Sequence, residues 1–230
     1  MTLRAILFDF NGVIINDEPI HQELISEVLI AEKINFEPAE LHALSIGRSD
    51  RACLTDLFYR SGQVVTDEYL SNLIAIKAAA YRAKIQQLPT LPIFPDVVEF
   101  ITQLQSKKLI IALVTGALWQ QTELVLQKAN LTQYFSVIVT ADDVNTSKPE
   151  PDGYLLAVSR LNQQNLALNL QSHECLVIED SLAGIEAAKR AKMPVIAIAN
   201  TYPFHLLQRR ANWVVDSLAE IEIDRILEVI

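Results

Sequence analysis

Glycine is scarce in this chain. There are six in 230 residues, where average usage is ~7 %, so each one stands where the backbone demands it. Cysteine is scarcer still: Cys53 and Cys175 lie far apart with no CxxC spacing, which excludes a disulfide framework or zinc ribbon and leaves two reduced, buried thiols as the expectation. No run of 18 apolar residues occurs, and the apolar start of the chain is cut short by Asp9, so neither a spanning helix nor a signal peptide is predicted and the protein is expected to be cytoplasmic. Positive charge is the minority, 19 basic against 28 acidic side chains for a net −9, and the basic residues do not cluster. Such a surface repels a phosphate backbone. Neither nucleic acid nor membrane is an expected partner, and a monomer is expected.

What the chain does have is apolar residues, half of the total, enough for a substantial core. Many of them form short runs rich in Ile, Val and Leu: Ala5 to Phe8, Leu109 to Val114, Val137 to Val139, Cys175 to Ile178, Val195 to Ile198, and Trp213 to Val215. Runs without alternation are what strands covered on both faces show. From Pro95 onward they alternate with helical patterns at Val97 to Gln105, Gln120 to Ala129, Asp152 to Leu161 and Leu182 to Ala191. This predicts an α/β fold with a doubly wound parallel sheet.

The stretch after the first run differs. It reads as amphipathic helices at Glu18 to Ala31, Ala52 to Tyr59 and Asp67 to Ile85, followed by a linker carrying Pro89 and Pro92. The expected organisation is an α/β core made of residues 1–15 and 92–230, with a helical module at 16–91 inserted behind the first strand.

The chemistry sits where apolar runs end. The first runs into Asp9-Phe10-Asn11-Gly12. A carboxylate there is costly unless it binds metal, is paired, or reacts, although an Asp that merely caps the loop fits too. The second ends in Thr115-Gly116, an anion site or a simple helix cap. Lys148-Pro149 follows the third, placing an ammonium that either faces phosphate or lies on the surface. The fourth ends in Glu179-Asp180, two adjacent carboxylates that a hard divalent cation would neutralise; Asp180 is also a candidate helix cap.

Taken together and in this order, these four strand ends resemble the haloacid dehalogenase-like superfamily of phosphohydrolases. The similarity is to the branch with a helical cap after the first motif, which includes β-phosphoglucomutases and sugar-phosphate phosphatases. The resemblance covers nearly the whole chain and implies a Rossmann-like core. It implies Asp9 as the nucleophile that forms an aspartyl phosphate, and Thr115 and Lys148 as holders of the phosphoryl oxygens, with Gly116 beside them. Magnesium is implied at Asp9, the Asn11 carbonyl and Asp180, with Glu179 supporting. The implied substrate is a small phosphorylated metabolite.

The departure from the family pattern is at its second aspartate, which protonates the leaving group and then activates water; here it is Asn11, and a further family aspartate is Asn16. Asn11 can neither give nor take that proton, a loss of 10² to 10⁴ in rate. A phosphatase of low activity or with an easy leaving group, a phosphate-binding protein that has lost turnover, and an introduced substitution are the open readings, and Asn16 counts against the last. A β-phosphoglucomutase-like phosphotransferase is disfavoured, since it needs that residue twice. A metal-free dehalogenase is disfavoured by Glu179-Asp180. A phosphonate hydrolase requires a Schiff-base lysine in the cap, for which Lys33, Lys77 and Lys84 are available.

In the inserted module, Gly47-Arg48-Ser49-Asp50-Arg51 resembles the family's substrate-facing segment, so Arg48, Ser49 and Arg51 are candidates to bind substrate; an ordinary helix start with Ser49 or Asp50 as cap fits as well. His21 is a candidate for the cleft, against a surface position at a helix start.

Overall fold

The computed structural model describes residues 3–229. Six strands, β1 (Ala5–Phe8), β2 (Ile110–Val114), β3 (Val137–Val139), β4 (Cys175–Glu179), β5 (Val195–Ile198) and β6 (Trp213–Val215), form one sheet in the order β3-β2-β1-β4-β5-β6. Every neighbouring pair is parallel. The unbroken apolar runs have a simple cause: alternate side chains enter two different cores. From β1, Ile6 and Phe8 point into one and Ala5 and Leu7 into the other; β2, β4 and β5 divide in the same way.

Ten helices are present among the described residues. Four, α1 (Glu18–Ala31), α2 (Pro38–Ser45), α3 (Asp50–Arg60) and α4 (Asp67–Gln87), lie between β1 and β2. They share a small core of their own around Leu29, Leu54, Phe58 and Leu70. The remainder are α5 (Val97–Ser106), α6 (Trp119–Lys128), α7 (Asp152–Gln164), α8 (Leu182–Arg190), α9 (Phe204–Leu207) and α10 (Ile223–Val229). Helix α2 is absent from the sequence reading: Pro38 opens it, and only Leu41, Leu44 and Ser45 are buried, too few for a clear period.

The chain enters and leaves the inserted helices side by side. Ile15 pairs with Ile93 in an antiparallel bridge, Asn16 N–H donates to the Pro92 carbonyl at 2.8 Å, and Phe94 N–H donates to the Ile14 carbonyl at 3.1 Å. The return crossing thus falls at 92–94, after α4, which runs on to Gln87. No described helix is long and apolar enough to cross a membrane.

Candidate active site

Two parallel-ladder bonds carry past the named strands and fix the first site residues. Asp9 N–H donates to the Ile178 carbonyl and Thr115 N–H to the Val139 carbonyl, both at 2.9 Å. Asp9 and Thr115 therefore leave the same sheet edge as Glu179 and Asp180, the carboxyl edge where open parallel sheets bind ligands. Lys148 arrives from the loop between β3 and α7, and its Lys148–Pro149 peptide is cis.

Lys148 joins the carboxylates. Its Nζ lies 2.6 Å from Asp9 Oδ1 and 2.6 Å from Glu179 Oε1, and all three side chains are buried. Glu179 is filled by protein donors: Oε1 also accepts from the Tyr154 hydroxyl, while Oε2 accepts from Asp180 N–H, Ser181 N–H and Ser181 Oγ. Five donors saturate the roughly four acceptor positions of a carboxylate, so Glu179 anchors Lys148 and has no lone pair to spare. Asp9 differs. Oδ1 takes Lys148, and no side chain among the described residues donates to Oδ2.

Carboxylate oxygens of Asp9, Glu179 and Asp180 lie within 4.8 Å of one another. Burial, reinforced by the charge of Glu179, pushes Asp9 up to about 7 despite Lys148. The same two causes hold Asp180 well above the ordinary carboxylate range. Burial alone would lower Lys148, but Asp9 and Glu179 outweigh it and raise it. Three carboxylates facing one ammonium leave a formal −2, which one divalent cation cancels, and an all-oxygen donor set suits magnesium. Gly12 makes this approach possible: φ is +82°, and a Cβ there would overlap the Asp180 carboxylate.

Asn11 faces a second cluster. Its Nδ2 donates to Asp17 Oδ1 at 2.8 Å and its Oδ1 accepts from Thr115 Oγ1 at 3.4 Å. Asp17 is fully buried and also accepts from the Tyr81 hydroxyl, with His21 Nε2 at 3.4 Å. Burial would raise the Asp17 carboxyl, yet His21, Asn11 and Tyr81 together hold it below the usual range. Behind His21, Lys77 Nζ contacts Nδ1 and pairs with Asp50 at 2.8 Å.

Several sequence alternatives resolve here. His21 is buried and stacked on Tyr81 at 4.6 Å between ring centres, not on the surface. The cap of α3 is Ser49, which accepts from Ala52 N–H; that of α8 is Ser181, and that of α6 is Leu118, which leaves Thr115 and Asp180 free of that duty. Lys77, of the three lysines of the inserted helices, is the buried one at 1 % exposure, where it pairs with Asp50 and contacts His21. Asp17 and Tyr81 were not among the residues singled out from sequence, Asp50 entered only as a possible helix cap, and Lys77 only as one of three lysines of the inserted module. The signal was available: Lys77 and Tyr81 fall on the i, i+3, i+4 stripe of Leu70, Leu73, Ile74, Ala78 and Ile85, a core-facing stripe where a lysine requires explanation.

Two cavities meet at Gly116. One of about 30 Å³ lies over Asp9 and Asn11, with His21, Arg48 and Asp50 in its wall. The other, about 300 Å³, is reached by Thr115, Lys148, Ser49 and Arg51. Arg48 and Arg51 therefore face different spaces. Arg48 pairs with Asp56 at 2.8 Å while its buried Nε has no partner; Arg51 donates to Ser71 Oγ at 2.7 Å. The inserted helices sit tightly on the core. Ser49 N–H donates to Ser147 Oγ at 2.9 Å, and a Cβ on Gly116 would lie 3.1 Å from the Arg48 and Ser49 backbone.

Comparison with known proteins places this geometry among relatives. A family model described as haloacid dehalogenase-like hydrolase matches residues 6–198. The chain is 28 % identical over 218 residues to a validoxylamine A 7'-phosphate phosphatase of Streptomyces hygroscopicus subsp. limoneus, covering 95 % of each chain. It is 30 % identical to a phosphorylated carbohydrates phosphatase of Thermotoga maritima, covering 82 % of each. A hydrolase from Pseudomonas syringae has the same fold at a TM-score of 0.84 and 26 % identity, covering 98 % of this chain and 99 % of that one.

Proposed function

This chain belongs to the haloacid dehalogenase-like hydrolases, and we propose that it is a phosphohydrolase of small phosphorylated metabolites that works through an aspartyl phosphate on Asp9. The observation that carries the reading is the buried Lys148 bridge between Asp9 and Glu179, with Asp180 alongside and Thr115 at the same sheet edge. It leaves one Asp9 oxygen free to attack phosphorus and holds an ammonium where phosphoryl charge must be balanced. Thr115 Oγ1 and the Gly116 amide are the nearby groups to hold phosphoryl oxygens. A magnesium ion would be held by Asp9, Asp180 and the Asn11 carbonyl, with Glu179 supporting, and would supply positive charge against the transferring group.

The names of two relatives, a validoxylamine A 7'-phosphate phosphatase and a phosphorylated carbohydrates phosphatase, support a small phosphorylated metabolite as substrate. Residues 16–91 act as a cap. A cavity of about 30 Å³ over Asp9 is the size of one water, so substrate enters only when the inserted helices lift. A second reading, phosphate-ester binding without turnover, is favoured by Asn11 alone.

The test is phosphate release from a panel of sugar, aryl and acyl phosphates with magnesium present. The protein should turn over at least one, and Asp9→Asn should lower that rate by a thousandfold or more. Calorimetric binding of a panel member without any release would establish the second reading instead.

A further inference from the structure

A leaving-group oxygen above Asp9 must either take a proton from the wall of its cavity or depart with its electron pair. The wall is built so that its donors point elsewhere. A carboxylate only accepts, so the Asn11 atom 2.8 Å from Asp17 is the amide nitrogen, and the carbonyl oxygen is turned toward Thr115. Lys77 donates to Asp50 and lies against Nδ1 of His21, whose Nε2 faces Asp17 and the Asn11 amide nitrogen, each at 3.4 Å. Ser45 Oγ donates to Glu18 at 3.3 Å, and both carboxylate oxygens of Asp50 accept from Lys77. Arg48 gives up no proton at all. Its Nε, buried without a partner on this same cavity, offers hydrogen bonding to a negative charge.

Resting on the phosphohydrolase reading above, we propose that this site acts on phosphate esters of acidic leaving groups, namely acyl, enol or aryl phosphates, which depart as anions without protonation by the protein. Asp9 Oδ2 forms the new bond to phosphorus, the bond between phosphorus and the leaving oxygen breaks, and that oxygen keeps the pair and leaves as carboxylate, enolate or phenolate. Water then attacks phosphorus, the Asp9–phosphorus bond breaks to restore the carboxylate, and the water proton stays on the released phosphate. The sum of ester dianion and water is leaving-group anion and dihydrogen phosphate, so charge and protons balance. Asp17 is the positioning residue, since it fixes the Asn11 amide with its donor side turned away from the substrate.

The experiment is a leaving-group series on the intact protein with magnesium: acetyl phosphate, 4-nitrophenyl phosphate, phenyl phosphate and glucose 6-phosphate. We expect kcat/KM to fall at least a thousandfold from the first to the last. The exchange N11D/D17N keeps the pair and its charge but moves the carboxylate to position 11. It should raise the glucose 6-phosphate rate by 10² to 10⁴, and with it the ratio of the glucose 6-phosphate rate to the acetyl phosphate rate. Wild-type rates within tenfold across the series would overturn the inference while leaving the phosphohydrolase reading intact, and that arm needs no variant to fold. Release from none of the four would remove both.

Discussion

Asp17 holds a carboxylate out of contact with water, and its stability there depends on three neighbours: the Asn11 amide, the Tyr81 hydroxyl and His21. Removing the anion strands buried donors, so Asp17→Ala is expected to cost on the order of 3 kcal/mol, read as a shift in the urea midpoint at unchanged slope. The pH dependence follows from the sign of the shift. The folded carboxyl lies below its unfolded value of ~3.9, so its contribution is present above about pH 4 and is lost as pH falls through the folded value. Asp17→Asn should therefore lose stability less steeply than wild type below pH 4. Asp9, Lys148 and the acidic pair Glu179-Asp180 stand out in the sequence because each follows an apolar run. Asp17 does not, since it stands at the N-cap position of α1, where an aspartate is ordinary, and only the fold brings α4 to it.

At the scale of elements, the strands were legible because burial on both faces erases alternation, and α1, α3 and α4 because their stripes are wide. Helix α2 was not, and α4 runs two residues past the Ile85 at which its stripe ends. The contact between Ser49 and Ser147 yields a direct test of lifting. A disulfide between Ser49→Cys and Ser147→Cys should hold α3 on the core and lower turnover by tenfold or more, with recovery on reduction. The reduced double variant should lose about 1 kcal/mol, since Ser49 caps α3. Cys53 and Cys175 are buried, and burial pushes both thiols up to about 12, so neither competes in the oxidation.

Over the whole molecule, the site's formal −2 sits within a chain of −9. Magnesium should stabilise the folded protein by about 2.7 kcal/mol at a hundred times its dissociation constant. For a chain this long that is a rise in Tm of roughly 5–10 °C, measurable by calorimetry, and Asp180→Asn should abolish it. Asp9 adds a pH trend. Its folded value, pushed up to about 7, exceeds the unfolded ~3.9, so its contribution to the metal-free protein is complete below about pH 4 and is lost as pH rises through 7. The Tm gain from magnesium should thus widen between pH 5 and 8.

The antiparallel contact of Ile15 with Ile93 brings the two crossings together beside the sheet's central strand. Everything between them is attached at a single narrow doorway, so a lineage can lengthen, shorten or trade that material as one parcel without redrawing the sheet. Whatever becomes of that parcel, Asp9, Lys148 and the acidic pair keep their places on the sheet.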